Sequence, residues 1–81
     1  MKATVLIRPK EGILDPQGEA VGEALRTLGF AVTGARVGRL VDVELDTDDP
    51  IEARAAVDSM ARDLLANPLI EVFTIEIGAE T

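Results

Sequence analysis

The sequence contains no cysteine, histidine, tryptophan or tyrosine, and its aromatic residues are two phenylalanines. Without cysteine there can be no disulfide framework, no thiolate nucleophile and no sulfur-ligated metal site. Without histidine, the chain also lacks the side chain that most often acts as a general base or zinc ligand near neutral pH. These absences exclude several common classes of enzyme and metalloprotein.

Positive charge is scarce: 8 Lys and Arg stand against 15 Asp and Glu, a formal net charge of −7. Such a chain repels phosphate backbones, and it has few rings on which bases could stack. We therefore expect no nucleic-acid partner. Near the N-terminus the apolar stretch 3–7 is too short for a signal peptide, and no run approaches the roughly 18 residues that span a bilayer. The sequence predicts a cytoplasmic protein with no membrane partner.

A chain of 81 residues predicts a single domain over residues 1–81, and its 47% apolar content is typical of a folded protein. A fold of this size buries only roughly 60% of the surface that its unfolded chain exposes. Its core is therefore small. We expect the domain to associate with further copies of itself or with a partner.

Two amphipathic helices are indicated by their caps and their apolar spacing. Asp15 and Pro16 are a typical helix start and Gly29 a typical end. Asp49 and Pro50 begin a second helix that runs to Asn67 and Pro68. The predicted apolar stripes are Ala20, Val21, Ala24, Leu25 and Leu28 in the first helix, and Ala53, Ala56, Val57, Met60, Ala61, Leu64 and Leu65 in the second.

Alternation of apolar and polar residues predicts strands over 3–8 and 69–77, and a β-hairpin within 32–46 that turns at Gly38 and Arg39. The order β-α-β-β-α-β predicts an α+β fold of the ferredoxin-like type, with a four-stranded antiparallel sheet and both helices on one face. The two helix stripes and the inward strand residues would form the core.

The opposite sheet face carries both charges and a few aliphatic side chains. We expect it, or a sheet edge, to pair with another copy through Leu6, Arg8, Arg36 and Val72. The alternative is that this face is solvated in a monomer.

Polar residues offer two weak candidate sites. Asp46, Asp48 and Asp49 could bind a hard cation, although a solvated turn with a helix cap is the better interpretation. Arg8, Lys10, Arg36 and Arg39 could bind phosphate, although Arg8 and Arg36 more plausibly pair with the acidic row of Asp42 and Glu44.

Two segments carry more specific sequence than capping requires. The residues from Leu14 to Gly18 read Leu-Asp-Pro-Gln-Gly, and those from Leu65 to Glu71 read Leu-Ala-Asn-Pro-Leu-Ile-Glu. Gly18 lies in the first helical turn, where it would leave backbone N–H groups uncovered. With these strings in the same β-α-β-β-α-β order, the whole chain resembles the PurS subunit family of phosphoribosylformylglycinamidine (FGAM) synthase.

The resemblance implies a small subunit without catalytic, cofactor-binding or metal-binding residues of its own. Such a subunit bridges the glutaminase and the synthetase of the enzyme and supports the transfer of ammonia in purine biosynthesis, while ATP and Mg²⁺ are used by the partner synthetase. We expect a homodimer or homotetramer. The candidate partner-interface residues are Asp15, Pro16, Gln17, Gly18, Asn67, Pro68, Leu69 and Ile70.

Two other functions are possible on such a scaffold. An ACT-like regulatory domain would bind a small molecule such as an amino acid, and this is the main alternative. An acylphosphatase-type enzyme would need a glycine-rich phosphate cradle between the first strand and the first helix, and the residues around Lys10 and Glu11 do not form that pattern.

Overall fold

The structure is a computed structural model that describes residues 1–78. Residues 79–81 of the predicted domain lie outside this range. The elements are strand β1 (Lys2–Pro9), helix α1 (Pro16–Thr27), strand β2 (Arg39–Glu44), helix α2 (Pro50–Met60), a π-helical turn (Ala61–Leu65) that continues α2, and strand β3 (Glu71–Ile77). The chain is therefore an α+β fold with two helices and a three-stranded antiparallel sheet.

Strand β1 is the centre of the sheet, with β2 on one side and β3 on the other. Val5 is aligned with Val41 in β2 and with Ile75 in β3. Because side chains alternate along a strand, Ala3, Val5 and Ile7 share one face, which we call the inner face. The opposite, outer face carries the other side chains of β1, among them Thr4 and Leu6.

Helix α2 packs on the inner face, as its apolar stripe predicts. It begins at Asp49, whose Oδ1 accepts a hydrogen bond from the Ile51 N–H at 3.0 Å. The buried core consists of Ala3, Val5, Ile7, Val57, Ala61 and Ala66. Three of these residues are alanines, which let the helix lie close to the sheet but supply little apolar area.

Helix α1 begins where the sequence predicts but does not pack on the sheet. Its buried residues are Gly18 and Gly22, and both lie against Ala35 in the segment that follows the helix. On the predicted apolar stripe, Val21 and Leu28 are exposed. The prediction that both helix stripes contribute to the core is therefore wrong for α1.

The predicted hairpin within 32–46 is also wrong, because residues 32–38 form no strand in the described chain. Asp15 accepts a hydrogen bond from the Val37 N–H at 2.9 Å, and Arg26 donates one to the Val32 carbonyl at 3.2 Å. These bonds attach the segment to α1 rather than to β2. A four-stranded, ferredoxin-like sheet is consequently not found within one chain.

No helix within residues 1–78 has the length and apolar character needed to cross a membrane.

Candidate functional site

Four parts of the chain meet at one end of the sheet and surround an open groove, which we call the end groove. They are the end of β1, the loop into α1, the segment before β2, and the start of β3. The groove is lined by Pro9, Ile13, Leu14, Asp15, Pro16, Gln17, Val37, Gly38, Arg39, Ile70 and Glu71. Residues 15–17 of the first segment predicted as a partner interface and Ile70 of the second, 55 residues after Asp15, therefore face the same groove.

Asp15 fixes one wall of the end groove. Its Oδ1 accepts a hydrogen bond from the Gly18 N–H and its Oδ2 one from the Val37 N–H, both at 2.9 Å. The bond from Val37, followed by that from Gly18, lowers the pKa of the Asp15 carboxyl because both favour the charged form. The expectation that the Gly18 N–H is uncovered is thus wrong, since this N–H is capped and Gly18 is buried.

An ion pair that sequence reasoning missed fixes the other wall. Arg39 donates to both carboxylate oxygens of Glu71, at 2.6 and 2.9 Å, and to the Leu65 carbonyl at 2.6 Å. The hydrogen bond from Arg39 lowers the pKa of Glu71, and the same bond raises the pKa of Arg39. The two residues lie 32 positions apart, so no local pattern could have paired them.

The turn at Asn67 leads into β3. The Asn67 side-chain oxygen accepts from the Leu69 N–H at 3.1 Å, and the Asn67 N–H donates to Glu71 at 2.7 Å. The Lys10 N–H then donates to the Ile70 carbonyl at 2.8 Å, which joins this turn to the loop after β1. Ile70 faces the end groove, whereas Asn67 and Pro68 form the turn beside it and Leu69 is 82% exposed.

The residues predicted to take part in self-association also come together. Leu6, Arg8 and Arg36 line a shallow pocket beside Gly38 and Leu40. Val72 is aligned with Arg8 across the β1–β3 pair and is 48% exposed. All four predicted residues therefore lie at one surface, and the binding of a second copy there stays a prediction.

Structural contacts account for the acidic candidate site, whereas Arg8, Arg36 and Arg39 of the basic candidate site line the same shallow pocket. Asp49 caps α2, and no group of three His, Cys, Asp or Glu side chains in residues 1–78 could hold a metal ion. Asp42 is contacted by the Thr4 hydroxyl at 2.6 Å and by Lys2 at 3.8 Å, rather than by Arg8 or Arg36 as predicted.

Comparison with known proteins identifies relatives along nearly the whole chain. A model of the PurS family, described as phosphoribosylformylglycinamidine (FGAM) synthase, matches residues 2–79. The PurS subunit of Methanocaldococcus jannaschii is 34% identical over 77 residues, which cover 94% of this chain and 93% of that protein. The PurS subunit of Synechocystis is 38% identical over 76 residues, covering 93% of this chain and 74% of that protein.

Solved structures agree with this comparison. The crystal structure of Methanocaldococcus jannaschii PurS superposes with a TM-score of 0.81 at 34% identity and covers 93% of this chain and 92% of that one. A chain in the structure of PurLQS from Thermotoga maritima gives a TM-score of 0.85 at 25% identity, with 93% of each chain covered. These matches do not favour the ACT-like alternative.

Proposed function

The chain belongs to the PurS family of FGAM synthase subunits in purine biosynthesis, and we propose that it bridges the glutaminase and synthetase subunits of that enzyme. One relative is found in a PurLQS structure, which supports a role inside a multi-subunit assembly. The observation that supports the proposal for this chain is the end groove, because residues 15–17 of one candidate partner-interface segment and Ile70 of the other line it.

The end groove is suited to docking because its rim is apolar and its walls are fixed. Leu14 is 72% exposed, and Ile13 and Ile70 are about 40% exposed. Burial of such side chains at an interface stabilises a complex by roughly 25 cal/mol per Å² of apolar surface. The Asp15 and Arg39 contacts hold the walls in place before a partner arrives, which lowers the entropy cost of binding.

We propose that this subunit positions its partners and takes no part in the bond-making steps. The chain has no histidine or cysteine, and the Asp15, Arg39 and Glu71 side chains of the groove are engaged in structural hydrogen bonds. ATP and Mg²⁺ would then act in the synthetase. Ammonia released into water at pH 7 is mostly protonated and loses its nucleophilicity, so an assembly that excludes bulk water preserves the reactive form.

We further propose that the chain forms a homodimer or homotetramer in the cytoplasm. Its small alanine-rich core and the exposed aliphatic residues of α1 support association between copies. The lack of cysteine fits a reducing compartment.

The test is reconstitution of the enzyme from the two larger subunits with and without this chain. Glutamine-dependent synthesis should fall at least about tenfold when the chain is left out, whereas synthesis from added ammonium should be largely retained. Equal glutamine-dependent rates with and without the chain would refute the bridging role.

A groove variant tests where the partners dock. Leu14→Asp should weaken capture of the larger subunits by roughly tenfold or more, since it places a charge on the apolar rim. Leu64→Asp is the matched control, because Leu64 is 83% exposed and does not line the groove. Unchanged melting of both variants would show that neither fold is altered; equal capture by both would refute docking at the groove.

A further inference from the structure

Two of the six arginines in the sequence differ from the others in their contacts. The other four bind a carbonyl or carboxylate group of the chain, and they are Arg26, Arg39, Arg54 and Arg62. Arg8 and Arg36 are exposed, and within residues 1–78 neither forms a hydrogen bond or an ion pair through its side chain. One such arginine on a surface is ordinary, but these two lie together.

Arg8 and Arg36 line the shallow pocket on the outer face, which we call the arginine pocket. Its volume is about 420 Å³, and its lining includes Leu6, Arg8, Arg36, Gly38, Arg39 and Leu40. This volume is within the range of small-molecule sites. Gly38 shapes the pocket because its backbone lies against the end of β1, where an added Cβ would be 3.3 Å from the Arg8 Cα. The close approach brings the segment that carries Arg36 beside Arg8.

The carboxylates near the arginine pocket are engaged elsewhere. Glu71 neutralises Arg39 through two hydrogen bonds. Asp15 lines a neighbouring pocket together with Arg36, but both of its oxygens accept hydrogen bonds from backbone N–H groups. Two positive charges are therefore held side by side, without a neutralising carboxylate, in a chain whose net charge is −7. Because like charges repel, an anion bound between them would be stabilised.

The floor of the arginine pocket is apolar. Leu6 in β1 is aligned with Leu40 in β2, so the two side chains lie next to each other on the outer face. Leu40 is 56% exposed. Arg8 follows Leu6 on the same face of β1, because side chains two positions apart in a strand point to the same side. The pocket thus places two guanidinium groups at the rim of an exposed aliphatic surface.

We propose that the arginine pocket binds a phosphate monoester, with the phosphate between Arg8 and Arg36 and the organic group on Leu6 and Leu40. A guanidinium group presents paired N–H donors that match the oxygens of a phosphate. Two such groups balance the roughly two negative charges of a phosphate monoester near pH 7, whereas a single carboxylate would balance only one of them. This ligand site goes beyond the bridging role and does not depend on it.

Titration of the isolated full chain with phenyl phosphate, followed by nuclear magnetic resonance, tests the site. The backbone N–H signal of Gly38 and the side-chain Nε–H signals of Arg8 and Arg36 should shift and reach saturation. Inorganic phosphate lacks the organic group, and benzoate carries only one charge. Each of these two anions should bind at least several-fold more weakly than phenyl phosphate.

Charge-matched variants locate the binding. Arg8→Gln and Arg36→Gln should each weaken the binding of phenyl phosphate by about tenfold, since each removes charge-assisted hydrogen bonds to the phosphate. Arg62→Gln is the matched control, because it removes the same charge from a side chain that is 63% exposed and lies outside the pocket. It should bind phenyl phosphate like the natural chain. Thermal melts of the three variants show whether each is folded.

Three results would overturn the site. They are the absence of saturable shifts in the natural chain, equal weakening by Arg62→Gln and Arg8→Gln, and equal affinity for inorganic phosphate and phenyl phosphate. If phenyl phosphate does not bind but Arg8→Gln and Arg36→Gln capture less of the larger subunits, the two arginines bind a carboxylate of a partner protein instead. The titration needs no larger subunit, so its failure would leave the bridging role intact. Loss of the bridging role in the reconstituted enzyme would likewise leave the ligand site intact.

Discussion

Asp15 shows how one residue can serve two elements. A helix cap requires one carboxylate oxygen, and Asp49 uses Oδ1 in this way at the start of α2. Asp15 caps α1 with Oδ1 and uses its second oxygen to hold Val37, which lies 22 residues further along the chain. The carboxylate therefore fixes the start of α1, one wall of the end groove and the path of the chain into β2.

Because its pKa is lowered in the folded state, Asp15 makes stability depend on pH. The stability that the charged Asp15 carboxylate adds to the fold is fully present above the pKa of the unfolded chain, which is near 3.8. This stability is lost as the pH falls through the lower pKa of the folded chain. In Asp15→Asn, the side-chain nitrogen cannot accept the Val37 hydrogen bond. In thermal melts, Asp15→Asn should have a lower melting midpoint than the natural chain at pH 7. It should also lose less stability than the natural chain when the pH falls below 4.

Asp48→Asn is the matched control, because Asp48 is an exposed carboxylate beside a helix cap. It should melt like the natural chain at every pH. If Asp15→Asn and Asp48→Asn gave the same dependence on pH, the two hydrogen bonds of Asp15 would not account for the acid sensitivity.

At the scale of elements, the decisive feature is the connection at Gly38 between the segment that follows α1 and the sheet. At Gly38 the chain passes so close to β1 that an added Cβ would collide with the Ile7 carbonyl oxygen. The next residue, Arg39, begins β2 and is held by Glu71 and Leu65. The direction in which the chain runs from α1 into the sheet is therefore set by this close backbone contact and by the Arg39 hydrogen bonds.

Gly38→Ala should destabilise the fold by about 1–3 kcal/mol, because the backbone of β1 cannot yield as a flexible side chain would. Gly34→Ala is the control, since a Cβ at Gly34 meets nothing within 4 Å. Urea unfolding of both variants measures the difference. A change for Gly34→Ala as large as that for Gly38→Ala would show that the effect comes from glycine flexibility and not from the close approach.

The sequence could predict those elements whose signals are local. The caps at Asp15 and Asp49, the alternation in β1 and β3, and the docking of α2 through Ala53 and Val57 were predicted and are confirmed. The path of residues 32–38 could not be predicted, because it depends on Asp15 and on the glycine face of α1. The end groove was predicted only as two separate segments, since the Lys10–Ile70 and Arg39–Glu71 contacts join distant parts of the chain.

The whole molecule is flat, with extents of 47 × 31 × 13 Å. Layers in a sandwich lie about 10 Å apart, so a thickness of 13 Å leaves little room for a complete second layer. Helix α2 covers part of the inner face, and Val41, Leu45 and Phe73 stay partly exposed. Each chain also carries a net charge of −7, which opposes association and is screened by salt.

If folding of this flat chain is coupled to association, its melting temperature must depend on protein concentration. Each tenfold increase in concentration should stabilise a dimer by about 1.4 kcal/mol relative to unfolded chains. The midpoint should therefore rise over a hundredfold concentration range and rise further in moderate salt. Scanning calorimetry of the natural chain at several concentrations measures this midpoint. A midpoint of the natural chain that stays constant across this range would mean that one chain is stable without a partner copy.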